Sequence, residues 1–220
     1  MGKNKLQRFA ETETFKNFVQ FPSYHFEEDC HLKNNWAGDF FGNQKPIFLE
    51  LGCGRGEYTV GLSILYPENN YIGIDIKGAR MWRGAKTALE NNINNAAFLR
   101  IHINQINRFF GTGEVGGIWI TFPDPQPKRA KAAKRLTSPH FIEKYRLFLK
   151  KDAVIHLKTD NVGLFEYTLD VIAQEKYHLI NHTFDLYSSA INSEAQKIQT
   201  HYESMFLAEG QKICYLQFHL

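Results

Sequence analysis

The segment Phe122-Pro123-Asp124-Pro125-Gln126-Pro127 sets one carboxylate among prolines, and Lys128, Arg129, Lys131, Lys134 and Arg135 follow at once. Each proline fixes its own φ and pushes the residue before it out of the helical region. Phe122, Asp124 and Gln126 are therefore expected to be extended or in turns, with the Asp124 side chain aimed rather than free. A carboxylate of fixed direction beside a dense cationic loop suits chemistry on a nucleic acid. The plain alternative is a polar surface loop carrying a solvated charge run. The weight shifts because the turn follows the short apolar run Gly117-Ile118-Trp119-Ile120-Thr121-Phe122, which reads as a buried strand, and open α/β sheets place their sites at the C-terminal ends of such strands.

A second constellation lies upstream. The strand-like run Ile47-Phe48-Leu49-Glu50-Leu51 leads into Gly52-Cys53-Gly54-Arg55-Gly56, and a helical pattern begins near Glu57. Glycines at alternate positions let a backbone turn sharply and approach a ligand closely. Asp75 closes the next strand, Tyr71-Ile72-Gly73-Ile74-Asp75, where an acid can accept hydrogen bonds from both ribose hydroxyls of a nucleoside cofactor. Dinucleotide enzymes prefer G-x-G-x-x-G. Here the loop is G-x-G-x-G with Glu50 two residues before it, and an acid so near suits a cationic ligand end better than a pyrophosphate. S-adenosylmethionine, with its ammonium and sulfonium groups, is the natural candidate. Asn104, after the third strand of this reading, can donate to and accept from an adenine edge, or cap a helix.

The elements that must position these groups are legible as alternation. Runs at 47–51, 70–75, 97–103, 117–122 and 153–158 look like strands with helical segments between them, predicting a mainly parallel, doubly wound α/β sheet. Ser138 and Pro139 mark a helix start, with Phe141, Ile142, Tyr145, Phe148 and Leu149 on one face. Runs at 178–187 and 212–219 suggest two further strands around a helix at about 194–208. Residues 1–45 are expected to be an N-terminal extension, with a possible short helix near 13–20, and residues 46–220 the catalytic domain.

With 220 residues, 43% hydrophobic and 22% charged, the chain can bury one good core. The net charge of +3 is unevenly spread: between Gln126 and Lys151 nine Lys or Arg face only Glu143, a local surplus of 8 that leaves −5 for the rest. Concentrated basicity is what a polyanion-binding face requires. Cys30, Cys53 and Cys214 are far apart and form no C-x-x-C pair, so neither a metal site nor a disulfide framework is expected and a reducing cytoplasm fits. Glu11, Thr12 and Glu13 stand where a signal peptide would be apolar, and no run has the length to span a membrane.

Glu50-Leu51-Gly52-Cys53-Gly54-Arg55-Gly56-Glu57, Gly73-Ile74-Asp75, Phe122-Pro123-Asp124-Pro125, Lys134-Arg135-Leu136-Thr137-Ser138-Pro139, Leu157-Lys158-Thr159-Asp160-Asn161 and Thr200-His201-Tyr202-Glu203 together resemble the bacterial tRNA (guanine-N7-)-methyltransferase family. The Phe-Pro-Asp-Pro and Lys-Thr-Asp elements are far more specific than the glycine loop. The resemblance implies a Rossmann-like class I methyltransferase with a seven-stranded sheet and an antiparallel last strand. It implies transfer of a methyl group from S-adenosylmethionine to N7 of guanine 46 in the tRNA variable loop, by a cytoplasmic monomer or homodimer without a metal. Residue by residue, it implies that Glu50, Gly52, Gly54, Gly56, Asp75, Asn104 and Asp124 line the cofactor and that Asp124 is catalytic. Lys128, Asp160, Thr200, Tyr202 and Glu203 would then contact the guanine or its nucleotide, and Arg129, Lys131, Lys134 and Arg135 the RNA. Three positions depart from the family pattern: Gln126 replaces a Trp, Ala130-Lys131 an Arg-His pair, and Asn104 an acid.

Two other readings compete: a class I methyltransferase acting on another RNA, a protein or a small molecule, and a non-catalytic RNA-binding module with a degenerate loop. The joint presence of the glycines with Glu50, Asp75 and Asp124 speaks against the second. Asp160 is balanced between substrate contact and capping the helix after it, and His156 is expected to be a core or cofactor-adjacent residue rather than a catalyst.

Overall fold

The structure, a computed structural model, describes residues 3–21, 28–191 and 194–220. Its strands are β1 (Phe18–Gln20), β2 (Ile47–Leu51), β3 (Asn70–Asp75), β4 (Ala96–Arg100), β5 (Val115–Thr121), β6 (Leu149–Thr159), β7 (His178–Thr183) and β8 (Cys214–His219). Its helices are α1 (Lys3–Glu13), α2 (Glu57–Leu65), α3 (Gly78–Glu90), α4 (Pro139–Arg146), α5 (Val162–Gln174), α6 (Glu194–Lys197) and α7 (His201–Ala208). The eight strands form one sheet in the order β1-β4-β3-β2-β5-β6-β8-β7, with β8 antiparallel to both neighbours and every other pairing parallel.

Strand alternation sorts the core into two layers. Leu49, Leu51, Ile72, Ile74, Ile118, Ile120, Ile155 and Leu157 pack with α4 and α5. Tyr71 and Trp119, at intervening positions of β3 and β5, and Tyr215 of β8 pack with Tyr58 and Leu62 of α2 and Ile198. Glu50 is registered against Gly73 and Trp119, and Lys158 against Thr121 and Tyr215. Both charges therefore point to the α2 side, where a buried charge must find partners.

The sheet has eight strands where seven were expected, because Phe18–Gln20 pairs in parallel with β4 as Phe18↔Phe98 through Gln20↔Arg100. The expected helix near 13–20 is instead the end of α1, a turn and this strand. A three-residue strand is too short for period-2 patterning to show, so only pairing with β4 reveals it. The N-terminal part is also tied down elsewhere: fully buried Trp36 donates through Nε1 to the Phe109 carbonyl at 2.7 Å. Glu11 of α1 accepts from Trp82 Nε1 at 2.8 Å and Lys86 Nζ at 3.1 Å on α3.

Ser138 precedes α4 as expected, yet its hydroxyl donates to the Ala133 carbonyl at 3.1 Å and does not cap the helix. The helix stops at Arg146, and Leu149 already belongs to β6. The helix expected at 194–208 is two, α6 and α7, with Thr200 capping the second.

Candidate active site

The C-terminal ends of β2, β3, β5 and β6 open into a cavity of about 570 Å³. Its floor is Glu50, almost fully buried. The Thr59 amide donates to Glu50 Oε2 at 2.8 Å with the Thr59 hydroxyl on the same oxygen, and the Thr121 hydroxyl donates to Oε1 at 2.6 Å. Burial pushes the Glu50 carboxyl up to about 7 despite these donors, which favour the ionised form. Gly73 lets Thr59 come so near: a Cβ there would lie 2.6 Å from the Thr59 hydroxyl.

The glycine loop wraps the side of the cavity. The Gly54 amide donates to Asp75 Oδ2 at 3.0 Å and the Lys77 amide to Oδ1 at 2.9 Å, which fixes the direction of the Asp75 carboxylate. Gly56 takes φ +72° at the start of α2, and a Cβ on it would collide with the Phe98 ring. A side chain is thus excluded twice, by conformation and by packing.

Asp124 hangs over the mouth on its proline-bounded loop. Two of the three residues expected to be extended or in turns, Phe122 and Gln126, adopt φ +47° and +44°. Such left-handed non-glycine positions cost on the order of 1–3 kcal/mol each and persist only when the surroundings hold them. They are held here. The Phe122 amide donates to the Lys158 carbonyl at 2.8 Å, and the Gln126 amide to Asp124 Oδ1 at 3.1 Å. Arg135 clamps the loop from outside: its guanidinium donates to the Pro125 carbonyl at 3.2 Å and to the Gln126 carbonyl at 3.2 Å, and lies 4.1 Å from the Tyr167 ring centre. Arg135 therefore spends its donors on the loop, a role that its place in a cationic run concealed.

The far wall comes from α7. Thr200, Tyr202 and Phe206 line the cavity beside Asp160. Asn161, not Asp160, caps α5, accepting from the Leu164 amide at 2.8 Å, and so leaves the Asp160 carboxylate to the cavity. Glu203 does not reach the cavity. It is fully buried, pairs with Lys158 Nζ at 2.7 Å, accepts from the Tyr187 hydroxyl at 2.7 Å, and completes a capping box with Thr200. Lys158, equally buried, also donates to the Ala195 carbonyl and, at 2.9 Å, to that of Ile198. Burial pushes its ammonium below the usual range while Glu203 opposes the shift. The pair bolts α6 and α7 to the end of β6.

Of the remaining sequence candidates, Gly52 and Lys134 line the cavity, whereas Lys128, Arg129 and Lys131 are exposed on the short 3₁₀ turn leading to Lys134. Asn104 is exposed on another 3₁₀ turn, does not line the cavity, and accepts Lys144 Nζ on its carbonyl at 2.9 Å. His156 is half-buried and does not line the cavity: desolvation pushes it down to about 3, and it stacks on Trp119 with ring centres 3.8 Å apart. Sequence reasoning missed Thr59 and Thr121, the pair that satisfies Glu50, and also Arg55, Lys77 and Arg80 on the cavity wall. Thr121, the last residue of β5, carried a usable signal: a polar residue ending a buried strand on the face of Glu50.

The chemistry of these donors suits S-adenosylmethionine: a buried carboxylate for a cationic end, a fixed carboxylate for a ribose, and glycines where a ligand must approach backbone. Comparison with known proteins agrees. The family model described as "Putative methyltransferase" matches residues 44–216. A protein of Bacteroides thetaiotaomicron named tRNA (guanine-N(7)-)-methyltransferase is 48% identical over 100% of this chain and 87% of its own length. One of the same name from Christiangramia forsetii is 46% identical over 99% and 98%. This chain belongs to the tRNA (guanine-N(7)-)-methyltransferase family. The fold is that of solved class I methyltransferases: the 16S rRNA methyltransferase KamB aligns with a TM-score of 0.64 at 13% identity, covering 90% of this chain and 96% of that one. A SAM-dependent methyltransferase from Aquifex aeolicus aligns at 0.53 and 14%, covering 81% and 84%.

Proposed function

We propose that this chain transfers a methyl group from S-adenosylmethionine to N7 of a guanine in tRNA, guanine 46 of the variable loop, in the bacterial cytoplasm. The observation that carries the reading is Asp124, held over a cavity lined by the Glu50 and Asp75 carboxylates, on a loop braced by two left-handed residues and an arginine clamp.

The bound cofactor supplies an electrophilic methyl on a sulfonium. Guanine N7 has an in-plane lone pair and no proton at neutral pH, so no general base is required and the task is alignment. Holding reacting atoms in line at near-attack distance can supply about 7–11 kcal/mol of the barrier. Asp124 and Asp160 face the same space and can accept from the guanine N1–H and N2–H edge. Their charge favours the cationic base that develops at transfer. Tyr202 and Phe206 offer ring surface for a base to stack on, and Glu203 acts by seating the helix that carries them. Lys128, Arg129, Lys131 and Lys134 supply cations for the RNA backbone. Asn104 would reach an adenine edge only after its turn moves inward.

The test is to incubate the purified protein with methyl-labelled cofactor and bulk unmodified tRNA, and to map the product nucleoside. N7-methylguanosine in the variable loop is expected. Label on another base, or only on protein or small molecules, removes the assignment.

A further inference from the structure

Of the cations noted in the sequence, Lys134 lines one side of the cavity mouth; the structure holds a second group that the sequence did not single out. Lys77 and Arg80 line the cavity at the start of α3, after β3, while Lys134 lines it after β5. Because β2 lies between β3 and β5, the two groups flank the glycine loop from opposite sides. Both side chains are exposed, and neither forms an ion pair among the described residues. Farther along the same helix the cations are engaged: Arg83 with Glu90 at 3.6 Å and Lys86 with Glu11 at 3.1 Å. Helix α3 therefore pairs its cations along its length and leaves them open at its cavity end.

The cofactor does not account for them. S-adenosylmethionine bears two positive charges and one carboxylate, and Arg55, inside the glycine loop, is one cation of the cavity lining able to serve that carboxylate. Lys77 and Arg80 beside a net cationic ligand oppose its entry; beside a polyanion they favour it. A base drawn out of an RNA loop into a cavity brings a phosphate on each side of it. A single cationic flank would match one of these phosphates and leave the other free to swing.

We propose that Lys77 and Arg80 form a second phosphate-binding wall, so that the RNA backbone crosses the mouth between them and the Lys128–Lys134 turn with the target base between. This rests on the RNA reading above. The probe is bulk unmodified tRNA, titrated against wild type, Lys77→Ala/Arg80→Ala and Lys150→Ala/Lys151→Ala across a salt series, with cofactor affinity measured by calorimetry. Lys150 and Lys151 sit at the N-terminal end of β6, away from the mouth. The Lys77/Arg80 double variant is expected to bind tRNA about tenfold more weakly near 0.15 M salt. The slope of log K against log salt should shrink by roughly one to two units, with KM for tRNA rising more than kcat falls. The Lys150/Lys151 variant should keep the wild-type slope. An unchanged slope with weakened cofactor binding assigns Lys77 and Arg80 to the cofactor, and no change in either makes them solvated surface; both results overturn the inference. Failure of the wild-type protein to bind or methylate tRNA removes the parent reading instead, and the wild-type arm reports that separately.

Discussion

The floor and the rim of this cavity use the same charged residue types to opposite ends. On the floor side, Glu50, Lys158 and Glu203 are almost wholly buried and each oxygen or ammonium is matched by hydroxyls, amides or a counter-charge. On the rim, Asp124, Lys128, Arg129, Lys131 and Lys134 are exposed. A buried charge left without its partner costs several kcal/mol, so the floor residues fix the architecture. Exposed charges are screened within about 8–10 Å at ordinary salt, so they add little to stability and remain free for a ligand. Burial, rather than residue type, decides which charges build the site and which act in it.

The sharpest way to break this contrast is to remove one buried partner. Glu203→Ala strands the Lys158 ammonium and should cost about 3–5 kcal/mol, measured by urea denaturation, while Lys158→Met/Glu203→Leu should recover part of the loss. An unchanged midpoint in Glu203→Ala would move the residue into the rim class. Asp124→Ala should do the reverse: turnover falls by at least about 100-fold while stability stays within about 0.5 kcal/mol and cofactor affinity is kept. Near-normal single-turnover rates would end the assignment.

The floor also predicts a pH dependence. The folded carboxyl of Glu50 is raised from 4.5 to about 7, so the ligand-free protein favours its protonated form and loses stability as pH rises between those values. A cationic ligand favours the ionised form. Cofactor affinity should therefore climb with pH and level off above about 7, with proton release on binding below it. Glu50→Gln should bind weakly with a flat profile, and calorimetry over pH 5.5–8 in about half-unit steps checks this. The smallest effects belong to the turn. Lys131→Ala/Lys134→Ala should shrink the salt slope for tRNA by roughly two units with no measurable loss of stability. Arg135→Ala should keep the slope but lose about 1–3 kcal/mol from its carbonyl bonds and lower turnover as the loop loosens. Identical behaviour of the two variants would mean that Arg135 faces the RNA after all.

Arg135 also shows where reading the chain alone stops short. The surplus of eight cations between Gln126 and Lys151 looked like one binding face. In the fold, Arg135 is turned inward onto the loop, Lys144 caps a turn carbonyl, Arg146 pairs with Glu143, and Lys150 and Lys151 lie at the wrong end of β6. Local density of charge does not specify direction. Glu203 stands likewise: a polar residue on a short helix reads as surface, and only the crossing of α7 over the end of β6 buries it against Lys158.

What the sequence determined by itself is what depends on neighbours in the chain. Alternating strand and helix periods set the doubly wound sheet, the proline spacing marked the Asp124 loop, and glycines between β2 and α2 marked the tight turn that lines the cavity, because dihedral preference and hydrophobic period are local properties. What only the tertiary structure decided depends on residues far apart in the chain. Thr59 and Thr121 converge on Glu50, the short β1 strand exists by pairing with β4, and Lys77 and Arg80 stand across the mouth from Lys134. Those relations follow from strand order and from the requirement that each buried polar group find a partner, which are satisfied only once the chain is packed.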